Sequence, residues 1–286
     1  MFCHGRAHWG VPQLPSTAFI YRSKSARDGG VAVGENGPMG DDLAADLALG
    51  RRIGDLSAEI ALPFFRTGVR HDLKPDGSPV SEADFAVERA VLDVLGTERP
   101  GDGVLSEECG GVARGAVRRR WLIDPIDGTV PFLAGNTGWG THVALEIDGE
   151  IVLGVITRPA ERRSWWAAKG QGAWTSSGTR VLVSTTALLD DATISGYTVP
   201  ESAWQTAIST VATWVDADSP ILELIEGRVD AVISEGGFEW DHAPAVILLR
   251  EAGGRFTDPD GGRRIDLRGG LYSNGHLHDQ VLRARK

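Results

Sequence analysis

The segment Trp121-Leu122-Ile123-Asp124-Pro125-Ile126-Asp127-Gly128-Thr129 sets two carboxylates and a glycine directly after a short apolar run. A strand that ends this way places its acids at the rim of a sheet. Gly128 lets the backbone turn there and present amide N–H groups to an anion. Oxygen-rich, thiol-free ligands suit a hard divalent cation, Mg2+ or Mn2+ rather than zinc. The same stretch also reads as an Asp-Gly turn with a capping acid. Three other segments add carboxylates: Ser81-Glu82-Ala83-Asp84, Ser106-Glu107-Glu108 and Trp240-Asp241. Each has a plainer reading as well. Ser81 and Asp84 make an S-x-x-D capping box, Asp241 suits a helix N-cap, and Glu107 and Glu108 can face solvent.

Taken together, these pieces resemble the inositol monophosphatase superfamily, the metal-dependent small-molecule phosphatases. That family's pattern is an E-E pair, then W-x-x-D-P-[IL]-D-G-T, then W-D-x-A and a helix closing on E-A-G-G. Here the pieces are Glu107-Glu108, Trp121 to Thr129, Trp240-Asp241-His242-Ala243 and Glu251-Ala252-Gly253-Gly254, in that order. The resemblance runs from about Asp41 to the end. Arg99 to Leu105 and Trp165 to Gly170 look most like actinobacterial histidinol-phosphatases.

The resemblance implies an α/β fold of alternating α and β layers. It implies a phosphomonoesterase that uses two or three Mg2+ ions, with Mn2+ as a substitute, on a small polar phosphate ester. Glu107, Asp124, Asp127 and Asp241 would ligate metal, with the Ile126 carbonyl as a further ligand. Gly128 and Thr129 would offer backbone N–H groups to phosphate. Asp84 and Thr129 would orient the attacking water, and Glu107 would share in catalysis. Lys74 would bind phosphate or water at the metal site. Glu235 falls near a family position that touches substrate hydroxyls, one residue out of register, and His242 would face the pocket mouth. Family members are often homodimers, and exposed tryptophans such as Trp165 or Trp166 would suit such an interface.

Two stretches depart from the family's usual sequence. Val130-Pro131-Phe132 follows Thr129 where a polar residue, Asn and Phe are usual. Asp218-Ser219-Pro220-Ile221 stands where many relatives have Gly-Ser/Thr-Ala-Ala. Both lie where substrate is chosen. Histidinol phosphate, an inositol phosphate, and a sugar or aminocyclitol phosphate or bisphosphate of specialised (antibiotic) metabolism therefore all remain open. A non-catalytic metal-binding relative and a 3′-phosphoadenosine phosphate phosphatase are the competing readings. Other phosphatase classes fail on spacing. D-x-x-D-x-T is one residue longer than the D-x-D-x-T of haloacid-dehalogenase enzymes. Arg70-His71-Asp72 lacks the glycine of histidine phosphatases, and Cys109 has Gly115 where C-x5-R needs arginine.

These residues need a scaffold, and the apolar spacing supplies one. Leu43, Leu47, Ile53, Leu56, Ile60 and Phe64 recur at helical steps behind Asp41 or Asp42 as cap. Residues 71–79 form a turn-rich loop or ribbon, and Ser81 opens a second helix bearing Val87, Val91 and Val94. Thr141 to Ile147 and Ile151 to Thr157 flank Asp148-Gly149, a hairpin signature. Ser164 to Ala168 and Arg180 to Ser184 extend an antiparallel sheet. Helices at Ser202 to Ser209 and Ile221 to Glu226 then alternate with strands at Ala231 to Ile233 and Leu271 to Ser273. A helix from Asp241 to Ala252 has Asp241 as N-cap and Pro244 in its first turn. The expected organisation is a disordered or loosely packed arm over 1–40, an α+β lobe over 41–185 with the antiparallel sheet and most metal ligands, and an α/β lobe over 186–286 that supplies Asp241.

The chain has 286 residues, a net charge of −10 and 42% hydrophobic residues, enough for a core. Its acidity argues against a nucleic-acid groove. No apolar run reaches the roughly 20 residues of a membrane span, and two cysteines make neither a disulfide framework nor a zinc site. A reducing cytoplasm is the simplest compartment.

Overall fold

In the computed structural model, which describes residues 42–285, the apolar periodicities become five alternating layers. The arm expected over 1–40 lies outside the described residues. Helix α1 (Leu43–Ala61) begins directly after Asp42. A ribbon of β1 (His71–Leu73) and β2 (Pro79–Ser81) follows, then α2 (Glu82–Glu98). Next come β3 (Gly103–Ser106), β4 (Gly110–Gly111), β5 (Arg119–Asp127), the short α3 (Thr129–Leu133), β6 (Gly140–Ile147) and β7 (Glu150–Arg158). β8 (Arg163–Ala168), β9 (Ala173–Thr175) and β10 (Arg180–Val181) complete an eight-stranded sheet of order β10-β9-β8-β7-β6-β5-β3-β4. Its neighbours are antiparallel except β3 and β5, which are parallel.

The second sheet contains β11 (Thr193–Tyr197), β12 (Thr213–Trp214), β13 (Ala231–Ser234), β14 (Arg255–Thr257) and β15 (Gly270–Ser273), in the order β12-β11-β13-β15-β14. Around it lie α4 (Ala203–Ile208), α5 (Pro220–Ile225), α6 (Glu239–Glu251) and α7 (His278–Ala284).

Period-two alternation decides which layer each strand face meets. Trp121, Ile123, Val143, Leu145 and Val155 point to the α1/α2 side. Leu122, Ala144 and Ile156 point to the opposite face, against Ile247 and Leu248 of α6. Val232 and Tyr272 close on α6 from the second sheet, while Ala231, Ile233 and Leu271 face Trp204, Ile208 and Val281 of α4 and α7. Helix α6 is therefore buried between two sheets.

Gly154 on β7 marks its closest approach: a Cβ there would lie 2.8 Å from the Pro244 Cα and 2.6 Å from Ile247 Cγ2. Gly154→Val should lower the melting temperature by roughly 3–10 °C, since overpacking typically costs about 1–3 kcal/mol. Calorimetry reads this directly, and an unchanged melting temperature would mean that α6 yields there.

The structure redraws several expected boundaries. The strand expected over Arg180 to Ser184 stops at Val181, because the Val183 N–H bonds the Ala252 carbonyl at 3.1 Å instead of a neighbouring strand. The last long helix starts at Glu239, so Asp241 is its third residue rather than its N-cap, and Pro244 lies in its second turn. Trp165 is fully buried and donates from Nε1 to Glu226 at 2.7 Å, so it offers no docking surface. Trp166 is half-buried, with the Arg51 guanidinium 3.8 Å from its ring.

Candidate active site

Asp124 and Asp127 lie three residues apart, which in a regular strand would send them to opposite faces. An irregularity resolves this. Asp124 pairs with His142 and Asp127 with Gly140, so the β5–β6 register shifts between the two acids, around Pro125. The Thr141 hydroxyl donates to the Pro125 carbonyl at 2.9 Å and fixes the distortion. Beyond it, Gly128 adopts φ 81°, where a Cβ would lie 2.8 Å from the Gly138 carbonyl oxygen. The left-handed turn and this close approach both call for glycine. It delivers Thr129 to the first position of α3.

Asp241 arrives from the other side, in the first turn of α6, where its Oδ2 accepts from the Phe238 N–H at 2.7 Å. A buried Arg120, 1% exposed, ties that turn to the first sheet by bonding Glu239 of α6 at 2.5 Å and Glu146 of β6 at 2.6 Å. As a result, ligand atoms of Asp124, Asp127, Asp241 and His142 all lie within 4.8 Å of one another.

The electrostatics are those of acids crowded together out of water. Burial, then Glu107, Asp127 and Asp241, hold the Asp124 carboxyl well above the usual carboxylate range. Burial and Asp127 push Asp241 up to about 7. Asp124 Oδ1 is buried with no hydrogen-bond partner. Crowded carboxylates with an unsatisfied buried oxygen fit a cation, which would supply the missing partner and cancel the repulsion.

Around this cluster the other expected residues take definite places. Lys74, in the turn between β1 and β2, donates from Nζ to Glu107 and to Glu108, each at 2.7 Å. Burial draws its ammonium downward, but the two carboxylates outweigh this and hold its pKa above the ordinary lysine value. Glu108 is raised to about 7 by burial against the pull of Lys74, so it does not simply face solvent. Asp84 does sit in a capping box with Ser81: its Oδ2 accepts from the Ser81 N–H at 2.8 Å and hydroxyl at 2.6 Å. Its Oδ1 meets the Thr129 hydroxyl at 3.3 Å, and that hydroxyl also lies 3.3 Å from the Ile126 carbonyl. Burial lifts Asp84 to about 6. The capping box occupies Oδ2 and leaves Oδ1 beside Thr129.

A cavity of about 230 Å³ opens from Asp127 and Asp241. His242 lines it, sharing a 2.5 Å hydrogen bond between Nδ1 and the Tyr272 hydroxyl, and burial lowers its pKa to about 4. Ser234, Gly236 and Gly237 line it too. Glu235, between them in sequence, accepts from the Val199 N–H at 3.1 Å through Oε2.

Glu88 and Arg158 escape sequence reasoning here, and His142 reads from sequence as a packed or solvated histidine. Glu88 accepts from the Ser106 hydroxyl, from the Glu108 N–H at 3.1 Å and from the Cys109 N–H at 3.0 Å, and so shapes the Glu107-Glu108 loop. His142 places Nε2 3.4 Å from Asp127 Oδ2, and Arg158 places Nη2 4.0 Å from the same oxygen. Nothing near His142 or Arg158 in sequence signals this, since they reach the acids across neighbouring strands.

Residues 43–286 match the inositol monophosphatase family. A histidinol-phosphatase from Mycobacterium tuberculosis is 40% identical over 255 residues, spanning 85% of this chain and 96% of that protein. A Streptomyces griseus protein bearing the name glucose-1-phosphate thymidylyltransferase is 47% identical over 249 residues, 83% of this chain and 95% of its own. The solved inositol monophosphatase of Zymomonas mobilis is 30% identical and superposes with a TM-score of 0.75 over 86% of this chain and 99% of that one. The chain belongs to the inositol monophosphatase family of phosphoric monoester hydrolases.

Proposed function

We propose that the protein hydrolyses a small polar phosphate monoester with Mg2+, bound as two or three ions and replaceable by Mn2+. The observation that carries this reading is the meeting of Asp124, Asp127 and Asp241 within 4.8 Å beside the Thr129–Asp84 pair. Glu107, Asp124, Asp127, Asp241 and the Ile126 carbonyl would hold the ions. Bound there, divalent ions supply neutralisation of the phosphate oxygens and acidification of a water.

The rest falls to the chain. Thr129 donates its hydroxyl proton to Asp84 and keeps its lone pairs for the attacking water. Asp84, anchored by Ser81 and lifted to about 6, accepts a proton at near-neutral pH. Backbone N–H groups of Gly128 and Thr129 receive the phosphate, and Lys74 holds Glu107 in place from the ribbon. The protein's occurrence in the cytoplasm and as a homodimer belongs to the same proposal. Among the described residues no helix is long and apolar enough to cross a membrane.

Phosphate release from histidinol phosphate, inositol 1-phosphate and several sugar and aminocyclitol phosphates, with Mg2+ and with EDTA, tests the reading. Turnover that survives complete metal removal would end it. Glucose 1-phosphate with dTTP belongs in the same panel, since dTDP-glucose formation would support transferase chemistry instead. Thr129→Val should lower kcat by roughly 10²-fold with little change in metal affinity, because it removes the link between water and Asp84. An unchanged kcat would take Thr129 out of the proton path.

A further inference from the structure

The cavity that opens from Asp127 and Asp241 has an apolar floor, formed by Ile156, Leu222 and Ala245, and one permanent cation, Arg158. Arg158 closes β7 and is 5% exposed. Its Nε and Nη1 are buried without a hydrogen-bond partner. Among the described residues, Asp127 is its only carboxylate within 4.0 Å, and that distance is too long for a hydrogen bond. A guanidinium stays charged at any ordinary pH, and a buried charge is costly unless paired. Once Asp127 engages a cation, its charge no longer balances Arg158. The guanidinium then faces the cavity with neither a counter-ion nor an acceptor.

We infer that Arg158 receives a second oxyanion, carboxylate or phosphoryl, on the alcohol portion of the substrate, so that the enzyme selects phosphate esters bearing two anionic groups. This rests on the phosphatase reading above and narrows it. The phosphate to be cleaved sits on the acid cluster, and the alcohol portion fills the cavity. At about 230 Å³ the cavity suits a single sugar-sized group rather than a nucleoside. An anion on that group meets the guanidinium from the Nη2 side and gives the buried charge a counter-ion. An ammonium placed there meets Arg158 as a like charge in a site shielded from water, where repulsion is strong. Histidinol phosphate and amino-sugar phosphates carry such an ammonium, so the inference ranks them last.

The test compares kcat/KM for glucose 1-phosphate, glucuronic acid 1-phosphate, glucose 1,6-bisphosphate, glucosamine 1-phosphate and histidinol phosphate, in the full chain and in Arg158→Met and Arg158→Lys. The parent should prefer the two doubly anionic esters over glucose 1-phosphate by roughly 10- to 100-fold. The glucuronic acid and bisphosphate arms show whether the carboxylate or the phosphoryl group is favoured. Arg158→Met should collapse that ratio towards one, and Arg158→Lys should restore part of it. A ratio near or below one in the parent, or one unchanged in Arg158→Met, would overturn the inference while leaving hydrolysis intact.

Calorimetric binding of glucuronate and of glucose, with Mg2+ and inorganic phosphate present, decides the matter if no ester is cleaved. Tighter glucuronate binding that Arg158→Met removes would uphold the anion site and sink the phosphatase reading alone. Equal binding of the two sugars would sink the anion site.

Discussion

Asp124→Asn is expected to lose metal-dependent phosphate release by roughly a thousandfold or more, yet to melt at a higher temperature than the parent in EDTA. The two effects share one cause. Asp124 lies at the centre of the cluster, fully buried among Glu107, Asp127 and Asp241, and its charge is disfavoured by both burial and repulsion. A bound cation turns that cost into affinity and supplies several kcal/mol of charge stabilisation to the reaction, at about 1.4 kcal/mol per tenfold in rate. An amide of the same shape forfeits the affinity. Without metal, the same amide relieves the repulsion and can donate to a neighbouring carboxylate. Each kcal/mol relieved should raise the melting temperature by about 2–4 °C. Phosphate release and calorimetry on one preparation check both halves. A variant that keeps full turnover, or one that melts lower in EDTA, would contradict the account.

The second large effect is the response to Mg2+, which should be steeper at pH 8 than at pH 5.5. Burial and neighbouring acids lift Asp84 to about 6, and Glu108 and Asp241 to about 7. A carboxylate raised in this way keeps a proton in the folded chain that the unfolded chain has already released. It therefore costs stability as pH rises from about 4 to about 7, and the cost is complete above 7. Histidines pull the other way: burial lowers His242 and His278 to about 4. Below about 6.5 the unfolded chain protonates those histidines first, which destabilises the fold as pH falls. The raw melting curve mixes both effects.

The difference between Mg2+ and EDTA isolates the acids, because protons and cations compete for the same oxygens. An ion at about a hundred times its Kd adds about 2.7 kcal/mol per site. The gain should thus be about 5–10 °C at pH 8 and less than half that at pH 5.5. Equal gains at the two pH values would show that the cation binds elsewhere.

What the amino-acid order disclosed follows the range of each interaction. Asp124 and Asp127 are neighbours in sequence, and the hairpin over Asp148-Gly149 is local chemistry, so both were legible: Ile147 pairs with Glu150 as that turn requires. Asp84 and Asp241 could be matched to a family pattern although each also caps a helix. The register shift at Pro125 could not be read, since it depends on which residues of β6 lie opposite. The same holds for His142 and Arg158. A lone histidine and a strand-end arginine are ordinary on their own, and gain meaning only from the Asp127 oxygen between them. The strands β3, β11 and β14 were missed because G-V-L-S, T-I-S-G-Y and R-F-T are short and carry little apolar alternation. Their pairing partners hold them extended.

The acids of β5 and Asp241 of α6 lie more than a hundred positions apart, and α6 reaches them only when it is packed between two sheets. On the proposed ligand set, the fourth carboxylate therefore arrives only with α6. A nascent chain still lacking α6 would hold Glu107, Asp124 and Asp127 but not Asp241. Loss of the inner helix layer would remove Asp241 and leave the acids of the first sheet where they are. In this architecture the full set of acids exists only once both sheets have been assembled onto the same helix.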